Sequence, residues 1–361
     1  MRILQLISTI AYGDAVSNDA IAMRDVLIQM GYHTKIYAEH IWPPLTRTAA
    51  LPIAELPPLR AEDVIIYHLS TGTPLTQQFA NLPCRKVVVY HNTTPPRFFY
   101  KNKTVLYQVQ KESLQQIKAL APYVDYCLAD SAFNRDDLRA MGYTCPIDVL
   151  PILIPFSDYE QGFSPNVLQK YSDTATNILY TGRIASNKKV EDVLAAFACY
   201  HKYYNENSRL FLAGSYTPGE VYFRQLEAYA KQLGIAENIV FTGHAPFRDI
   251  LTYYHMADVY LCMSEHEGFC VPLVEAMYFK VPIIAYASCA VPGTLGDAGI
   301  LMSDKSPMLV AGMIHRLTQD IALRKNVIES QNTRLQDFAY ATVKAQFEAY
   351  LHAFLEEKGC D

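Results

Sequence analysis

Short apolar runs alternate with amphipathic stretches along most of the chain. In the first half these runs predict buried strands at 2–7, 35–41, 63–69, 86–90, 123–129 and 147–150. In the second half they predict strands at 177–183, 209–214, 238–243, 258–264 and 281–285. Stretches with helical periodicity, such as 17–30, separate most of these strands. Alternating strands and helices favour parallel sheets with right-handed crossovers, so the pattern predicts an α/β protein.

The length predicts two domains. A chain of 361 residues exceeds the size at which a single core usually stops growing. The stretch 151–173 carries three prolines and little periodicity, and we place a linker at 156–172. We therefore expect an N-terminal domain over 1–155 and a C-terminal domain over 173–336, followed by a long amphipathic helix at about 337–358.

Composition narrows the class of protein. Half of the residues are apolar, 19% are charged and the net charge is −5, which is typical of a globular protein and gives no sign of nucleic-acid binding. The eight cysteines are scattered, with no paired metal-ligand spacing, so we expect reduced core thiols and a cytoplasmic location. The first strand starts at Arg2, which leaves no room for a signal peptide, and no apolar run is long enough to cross a bilayer.

One segment departs from the acidic balance of the chain. Residues 85–118 contain seven lysines and arginines against the single acidic residue Glu112, with Phe98, Phe99 and Tyr100 interleaved. Cationic and aromatic side chains suit an anionic lipid surface or an acceptor site. A solvated face with buried aromatic rings explains the same pattern equally well.

The stretch 258–285 carries the strongest chemical signal. An apolar strand ends near Ser264, a turn at Gly268 follows, and a helix is predicted at 271–279. Glu267 precedes the helix and Glu275 lies two turns into it, so both carboxylates can face one crevice at the carboxyl end of the strand. The helix N-terminus suits a phosphate, and we assign to it the backbone amides of Gly268, Phe269, Cys270 and Val271. Because carboxylates accept hydrogen bonds from sugar hydroxyls, the stretch predicts a nucleotide-sugar site.

Two cations follow the first strand of the second half. Arg183 ends that strand and Lys188 lies five residues later, at the turn before the next helix. An arginine fork and a lysine point charge can together neutralise a diphosphate.

The N-terminal half offers three weaker candidates. Gly13 and Asp14 lie in the turn after the first strand, where backbone can approach a ligand closely or simply connect strand and helix. His91 follows the strand at 86–90, and a histidine at such a place is either functional or an ordinary surface or core residue. Ser131 follows the next strand, where it is either a functional residue at the strand end or the cap of the helix predicted at 133–141.

The sequence around Glu267 and Glu275 resembles the E-x7-E signature of retaining GT-B glycosyltransferases of family 4. The resemblance is carried by three motifs: Ser-x-x-Glu-Gly-Phe, Pro-Leu-x-Glu-Ala-Met and Val-Pro-Ile-Ile-Ala. Gly182-Arg183 with Lys188 is similar to the family's G-R-x-x-x-x-K. The resemblance implies two Rossmann-like doubly wound domains that face a central cleft, with the last helix crossing back to the first domain. Asp14 departs from the usual Gly-Gly turn, and Gly293 stands where many relatives carry a glutamate.

The same resemblance implies residue roles. Glu267 would contact the transferred sugar, Glu275 the ribose, and Arg183 with Lys188 the leaving diphosphate. His91 would lie near the anomeric carbon. The donor side would also include Gly13, Asp14, Ser215, Tyr216, His244 and Ala245, the last four at the nucleobase. Tyr216 can equally be a core residue.

The implied activity is transfer of a hexose from a UDP- or GDP-hexose to a hydroxyl acceptor with retention of configuration. The acceptor would be a growing cell-surface glycan or a lipid-linked saccharide, met at the inner face of the plasma membrane. No Asp-x-Asp occurs in the chain, so we expect neither a metal nor another cofactor. Nothing in the sequence identifies the carboxylate nucleophile that a double displacement needs, so we favour a front-face mechanism. Other GT-B activities, a 2-epimerase or a phosphorylase, and a non-catalytic glycan-binding relative remain as alternatives.

Overall fold

The computed structural model describes residues 1–99, 104–217 and 219–356. The chain forms two compact units, the first made of Met1–Pro155 with Phe338–Asp361 and the second of Phe156–Asp337. The segment 156–172, predicted to be a linker, groups with the second unit and contains the helix Pro165–Lys170. Pro165 lies in the first turn of this helix, where proline starts a helix rather than breaking it.

The first unit is built on a parallel sheet of seven strands. These strands are β1 Ile3–Ile10, β2 Ile36–Ile41, β3 Leu51–Pro52, β4 Val64–Leu69, β5 Arg85–Tyr90, β6 Tyr126–Ala129 and β7 Ile147–Val149. Their order is β3-β2-β1-β4-β5-β6-β7, so the strand order reverses between β1 and β4. Loops that leave β1 and β4 at their carboxyl ends therefore flank the switch point at which open α/β sheets bind ligands.

Helices cover both faces of this sheet. They are α1 Ala15–Gln29, α2 Pro74–Ala80, α3 Thr104–Leu120 and α4 Ala132–Ala140. β4 is buried along its whole length, and alternate residues face opposite layers. Ile65 and Tyr67 pack in the cluster that includes α2 and α3, whereas Val64 and Ile66 pack in the cluster that includes α1. Burial on both faces explains why the strand is a continuous apolar run.

The second unit contains a parallel sheet of six strands. They are β8 Thr176–Thr181, β9 Ser208–Ala213, β10 Ile239–Gly243, β11 Val259–Cys262, β12 Ile283–Tyr286 and β13 Ile300–Met302. The helices are α5 Pro165–Lys170, α6 Val190–Tyr203, α7 Val221–Gln232, α8 Phe247–Met256, α9 Val271–Tyr278, α10 Val291–Leu295, α11 Pro307–Gln319 and α12 Ile321–Leu335. The strand order is β10-β9-β8-β11-β12-β13, so the switch point lies between β8 and β11.

The last helix, α13 Tyr340–Glu356, belongs to the first unit. Val343, Phe347 and Phe354 on one side of it are buried against the same cluster as α1. The Arg85 guanidinium lies 3.8 Å from the centre of the Phe354 ring and also donates to the Phe354 carbonyl. Residues 357 and 358 of the predicted helix lie outside the described residues.

Candidate active site

Lys188 and Glu267 meet at the switch point of the second unit. Lys188 ends a short 3-10 turn that follows β8, and Glu267 lies in the loop between β11 and α9. The Lys188 Nζ donates to Glu267 Oε2 at 2.6 Å, and only 8% of the glutamate side chain is exposed. Burial lowers the pKa of Lys188, but the adjacent Glu267 carboxylate outweighs it, so the pKa is raised overall. Lys188 therefore stays protonated at neutral pH.

Backbone bonds tie the two loops together behind this pair. The Glu265 N–H donates to the Asn187 carbonyl at 2.9 Å, and the Asn187 side chain donates back to the His266 carbonyl at 3.2 Å. Because β8 and β11 are hydrogen-bonded neighbours, their carboxyl-terminal loops emerge side by side. The ion pair is thus a consequence of strand order.

The start of α9 is held in an unusual conformation. Cys270 precedes the helix with a φ of 74°, in the left-handed region that non-glycine residues seldom adopt. The loop before it is anchored by the Thr294 hydroxyl, which donates to the Phe269 carbonyl at 2.6 Å, and by the Ala290 N–H, which donates to the Glu267 carbonyl at 3.3 Å. A strained residue held by several bonds is typical of a functional turn.

Glu275 is held from behind by tyrosines. The Tyr254 hydroxyl donates to Glu275 Oε2 at 2.7 Å and receives a bond from the Thr181 hydroxyl at 2.5 Å. Tyr159 donates to Oε1 at the longer distance of 3.4 Å. Burial raises the pKa of Glu275, and the tyrosine bonds lower it in part. Oε1 is the oxygen better placed to accept a further hydroxyl.

The predicted nucleobase residues lie at the ends of β9 and β10. Ser215 and His244 are exposed and Ala245 is half-buried. The Tyr216 ring stacks on Phe223 with ring centres 3.9 Å apart, so one of its faces is occupied by the core. Arg183 follows β8 and is exposed, with its carbonyl accepting from the Tyr180 hydroxyl.

Three glycines lie close together at the carboxyl ends of β8, β9 and β10. Gly214 forms an isolated bridge with Gly243, and a Cβ on Gly214 would lie 1.9 Å from the Gly182 carbonyl oxygen. Three chain segments therefore approach one another closely where β8, β9 and β10 end.

In the first unit, Asp14 is the N-cap of α1. Its carboxylate accepts from the Ser17 N–H at 2.9 Å and from the Ser17 hydroxyl at 2.8 Å, while Gly13 before it has a φ of 75°. Ser131 likewise caps α4 by accepting from the Asn134 N–H at 3.1 Å. Both side chains have a local structural role.

A buried chain of hydrogen bonds begins at Gln5 in the middle of β1. One orientation of the Gln5 amide gives both its nitrogen and its oxygen hydrogen-bond partners. In it, the NH₂ donates to His68 Nε2 at 2.8 Å and to the Ala20 carbonyl at 3.2 Å, and the oxygen accepts from the Arg24 N–H at 3.3 Å. His68 Nε2 is then an acceptor, which places the His68 proton on Nδ1. Burial and the neighbouring His91 keep the pKa of His68 well below its usual value, so His68 is neutral.

The chain continues from His68 to His91. The His68 Nδ1–H donates to His91 Nε2 at 3.0 Å, and the His91 Nδ1–H donates to Asp130 Oδ2 at 2.9 Å. Burial lowers the pKa of His91, but the Asp130 carboxylate outweighs it and the pKa is raised overall. Only 1% of the His91 side chain is exposed. Both ring nitrogens are thus engaged in a fixed orientation.

Asp19 of α1 lies beside this chain with one unsatisfied oxygen. Its Oδ1 accepts from the Leu153 N–H at 2.8 Å, whereas Oδ2 has no hydrogen-bond partner in the described part of the chain and lies 3.9 Å from His91 Nε2. Burial raises the pKa of Asp19 to about 7. The first unit therefore buries a carboxyl group that titrates near neutral pH.

Two groups of side chains in the described ranges are close enough to share a metal ion. The first contains Asp19, His68 and His91, whose ligand atoms lie within 4.8 Å of one another. A histidine ligand must offer a nitrogen without a proton. Because the Gln5 amide places the proton of His68 on Nδ1, the nitrogen that faces the group, this arrangement suits a hydrogen-bond relay better than a metal.

The second group contains Cys262, Glu267 and Cys270. Its carboxylate is already paired with the Lys188 ammonium at 2.6 Å, and the two thiols are hydrogen-bonded to each other. A cation at this place would have to displace Lys188. The expected independence of a metal stays a prediction.

The basic segment 85–118 has mixed environments. Arg85 is engaged with Phe354, Phe98 and Phe99 are half-buried, and Lys111 and Lys118 are exposed. Tyr100, Lys101 and Lys103 lie outside the described residues. In the part of the chain that the structure describes, every helix is too short or too polar to cross a bilayer. Contact with a membrane surface stays a prediction.

Sequence reasoning missed Gln5, His68, Asp19 and Tyr254. Gln5 lies between two leucines of β1, and His68 lies between Tyr67 and Leu69 of β4. That position was the available signal, since a polar residue inside a buried strand needs a partner. Asp19 and Tyr254 lie on helices whose buried faces also contain other residue types, so the pattern alone did not single them out.

Residues 166–334 match the family model described as glycosyl transferases group 1. The chain is 25% identical over 272 residues to the O-antigen chain mannosyltransferase B of Escherichia coli, covering 73% of this chain and 68% of that protein. It is 26% identical over 190 residues to the N-acetyl-alpha-D-glucosaminyl L-malate synthase of Bacillus anthracis, covering 52% and 48%. The match thus spans about half of the second relative.

Solved structures share the whole fold. The sucrose-phosphate synthase from Thermosynechococcus elongatus superposes with a TM-score of 0.76 at 16% identity, covering 99% of this chain and 100% of that chain. Anabaena HepE, solved with UDP and glucose, gives a TM-score of 0.72 at 14% identity, covering 98% and 100%. The predicted GT-B fold class, with two Rossmann-like α/β domains, is confirmed, and the matches together support a GT-B glycosyltransferase.

Proposed function

We propose that the chain is a retaining glycosyltransferase that transfers a hexose from a UDP- or GDP-hexose to a hydroxyl of a growing surface glycan or lipid-linked saccharide. The observation that carries this proposal is the Lys188–Glu267 pair at the switch point, 2.6 Å apart, together with Glu275, which lies eight residues after Glu267 and accepts a hydrogen bond from Tyr254. A cation and two acceptor carboxylates at one sheet edge suit a ligand that combines a diphosphate with sugar hydroxyls.

The donor is assigned to residues of the second unit. Lys188 and Arg183 neutralise the diphosphate, Glu275 accepts from the ribose, and Glu267 accepts from the hexose. The amides at the start of α9, from Gly268 to Val271, add backbone donors for the phosphate. The nucleobase is assigned to Ser215, Tyr216, His244 and Ala245, with the occupied face of Tyr216 restricting it to edge contacts or its free face.

The proposed reaction follows the front-face course. The bond between the anomeric carbon and the β-phosphate oxygen breaks, and the acceptor oxygen bonds to the same face of that carbon. The acceptor proton passes to the departing phosphate oxygen. Lys188 and Arg183 stabilise the negative charge that develops on the leaving group, which is the main electrostatic demand of the reaction. The resemblance implies that His91 lies near the anomeric carbon; because both of its ring nitrogens are hydrogen-bonded and only 1% of its side chain is exposed, we propose no proton transfer by His91.

Calorimetric titration with UDP, GDP and ADP, each with Mg²⁺ and with EDTA, tests the donor assignment. We expect one nucleotide to bind equally well in both conditions and to lose at least about tenfold in affinity in Glu275→Ala, since a half-buried carboxylate acceptor is removed. Glu329→Ala, an exposed glutamate on α12, is the matched control. Failure of all three nucleotides to bind would remove the proposal.

The reaction itself is tested with the sugar donor of the nucleotide that binds. Proton NMR of the first product formed distinguishes retention from inversion. A free sugar formed without any acceptor and epimerised at C2 would favour a 2-epimerase. Nucleotide binding without any turnover across a panel of glycan and polyprenyl-linked acceptors would favour the non-catalytic relative.

We place this reaction at the cytoplasmic face of a membrane, with segment 85–118 contacting anionic lipid. Co-sedimentation with vesicles that contain phosphatidylglycerol tests this placement. We expect Lys111→Glu with Lys118→Glu to weaken the binding, because both side chains are exposed cations. Equal binding to neutral phosphatidylcholine vesicles would contradict the electrostatic reasoning.

A further inference from the structure

Two thiols of the first unit face each other at the start of β7. Cys127 lies on β6 and Cys145 two residues before β7, and their sulfur atoms are 3.6 Å apart. The strand pairing fixes this approach, because the Cys127 N–H donates to the Pro146 carbonyl at 3.0 Å. Cys127 is fully buried, whereas Cys145 is half-buried between the exposed residues Thr144 and Pro146. Cys145 is thus a partly exposed residue whose sulfur contacts that of a buried one.

The surroundings differentiate the two thiols. The hydrogen bond with Cys127 lowers the pKa of Cys145, and the nearby Arg139 guanidinium lowers it further. Arg139 is held in place because it donates to the carbonyls of Tyr143 and Cys145, both at 2.9 Å. Burial raises the pKa of Cys127. A thiol of a partly exposed residue, near a cation and in contact with a second thiol, is the arrangement found in peroxide-reactive cysteine pairs.

We propose that Cys145 and Cys127 are a peroxide-reactive dithiol, in which Cys145 is the nucleophile and Cys127 the resolving thiol. The Cys145 thiolate attacks one oxygen of hydrogen peroxide, the O–O bond breaks, and the released hydroxide takes up a proton to become water. The resulting sulfenic acid is attacked by the Cys127 sulfur, the S–O bond breaks, and a second water leaves with the Cys127 proton. Two thiols lose two electrons, and one peroxide is reduced to two waters.

The fold permits the bond to close. The sulfur atoms must approach from 3.6 Å to about 2 Å. Cys145 lies in the connection between α4 and β7 and is only half-buried, so its side chain can turn toward Cys127 while β6 stays in the sheet. The disulfide would join β6 to the residues that lead into the edge strand β7, and it would enclose α4.

The test is oxidation of the full chain by hydrogen peroxide after removal of reductant, followed by peptide mapping without reduction. We expect a linked Cys127–Cys145 peptide that forms at least about tenfold faster than any oxidation of Cys199, and that dithiothreitol reverses. Cys199 is the matched control within the chain, because it is also half-buried but burial raises the pKa of its thiol.

Two variants separate the roles of the sulfurs. Cys127→Ser is expected to halt the reaction at a Cys145 sulfenic acid, which dimedone traps, and Cys145→Ser is expected to leave Cys127 as a free thiol. Oxidation of Cys145 no faster than that of Cys199, or a linked peptide that forms only in denaturant, would overturn the proposal. The comparison of Cys145 with Cys199 in the unsubstituted chain decides the matter even where a variant fails to fold.

Discussion

Replacing Lys188 by methionine tests whether the ion pair at the switch point organises the second unit. The substitution keeps most of the side-chain volume and removes the ammonium that lies 2.6 Å from Glu267. The carboxylate that remains is only 8% exposed, so water can solvate it poorly. The change therefore leaves a buried charge without its partner.

The structure sets the expected magnitude. Loss of one partner from a buried ion pair costs roughly 3–5 kcal/mol. Lys188 is 22% exposed, so some water can follow the vacated ammonium, and we expect the lower end, about 3 kcal/mol. The double variant Lys188→Met with Glu267→Gln removes the remaining charge as well, and we expect it to recover about 2 kcal/mol of that loss.

Hydrogen exchange measured by peptide is the suitable assay, because a chain with two compact units need not unfold in one step. Peptides from β8 and β11 report on the second unit, and peptides from β1 and β4 provide the internal control. We expect protection to fall in the second unit of Lys188→Met and to return in part in the double variant. Equal loss of protection in both variants would refute the reasoning, since the damage would not then come from the unpaired carboxylate.

Three further outcomes follow from the described contacts. Burial raises the pKa of Asp19 from 3.8 to about 7, so between these pH values the native chain keeps a proton that the unfolded chain has released. The free energy of unfolding, measured by denaturant titration at each pH, should therefore fall by up to about 4 kcal/mol as the pH rises from 4 to 7. Asp19→Asn should flatten this dependence on pH. Tyr254→Phe removes the 2.7 Å bond to Glu275 and should weaken nucleotide binding about tenfold by calorimetry, whereas unchanged affinity would exclude a positioning role. Gly214→Ala should destabilise the chain by more than about 3 kcal/mol in thermal unfolding because its Cβ would lie 1.9 Å from a carbonyl oxygen, and Gly293→Ala, with nothing within 4 Å, should be neutral.

The strands were predictable because of their environment. β4 is buried on both faces, and its apolar run needs no knowledge of its neighbours to be recognised. β3 was missed because it contains only Leu51 and Pro52, too short for any period to appear. The helix Pro165–Lys170 was assigned to a linker because prolines were read as breaks, although Pro165 is compatible with a helix start.

The candidate site was predictable only where side chains follow neighbouring strands. Lys188 and Glu267 come after β8 and β11, and adjacency of those strands is enough to bring them together. The partner of Glu275 was not predictable, because Tyr254 lies on α8 and no sequence pattern indicates that its hydroxyl reaches a side chain of α9. The direction of the His68–His91 relay likewise depends on one amide orientation, which no sequence pattern encodes.

The ion pair bears on how a donor would be held under the proposed function. Lys188 is the counter-ion of Glu267 in the structure, and the same ammonium is assigned to the donor diphosphate. If the ammonium turns to a phosphate, the buried carboxylate must find other donors, because an unpaired buried charge is costly. Hydroxyls of the hexose can donate to Glu267 while the diphosphate accepts from Lys188, so a nucleotide sugar gives both members of the ion pair a new partner. A nucleoside diphosphate alone gives a new partner to Lys188 but not to Glu267. It should therefore bind less tightly once the hexose has been transferred, which favours its release.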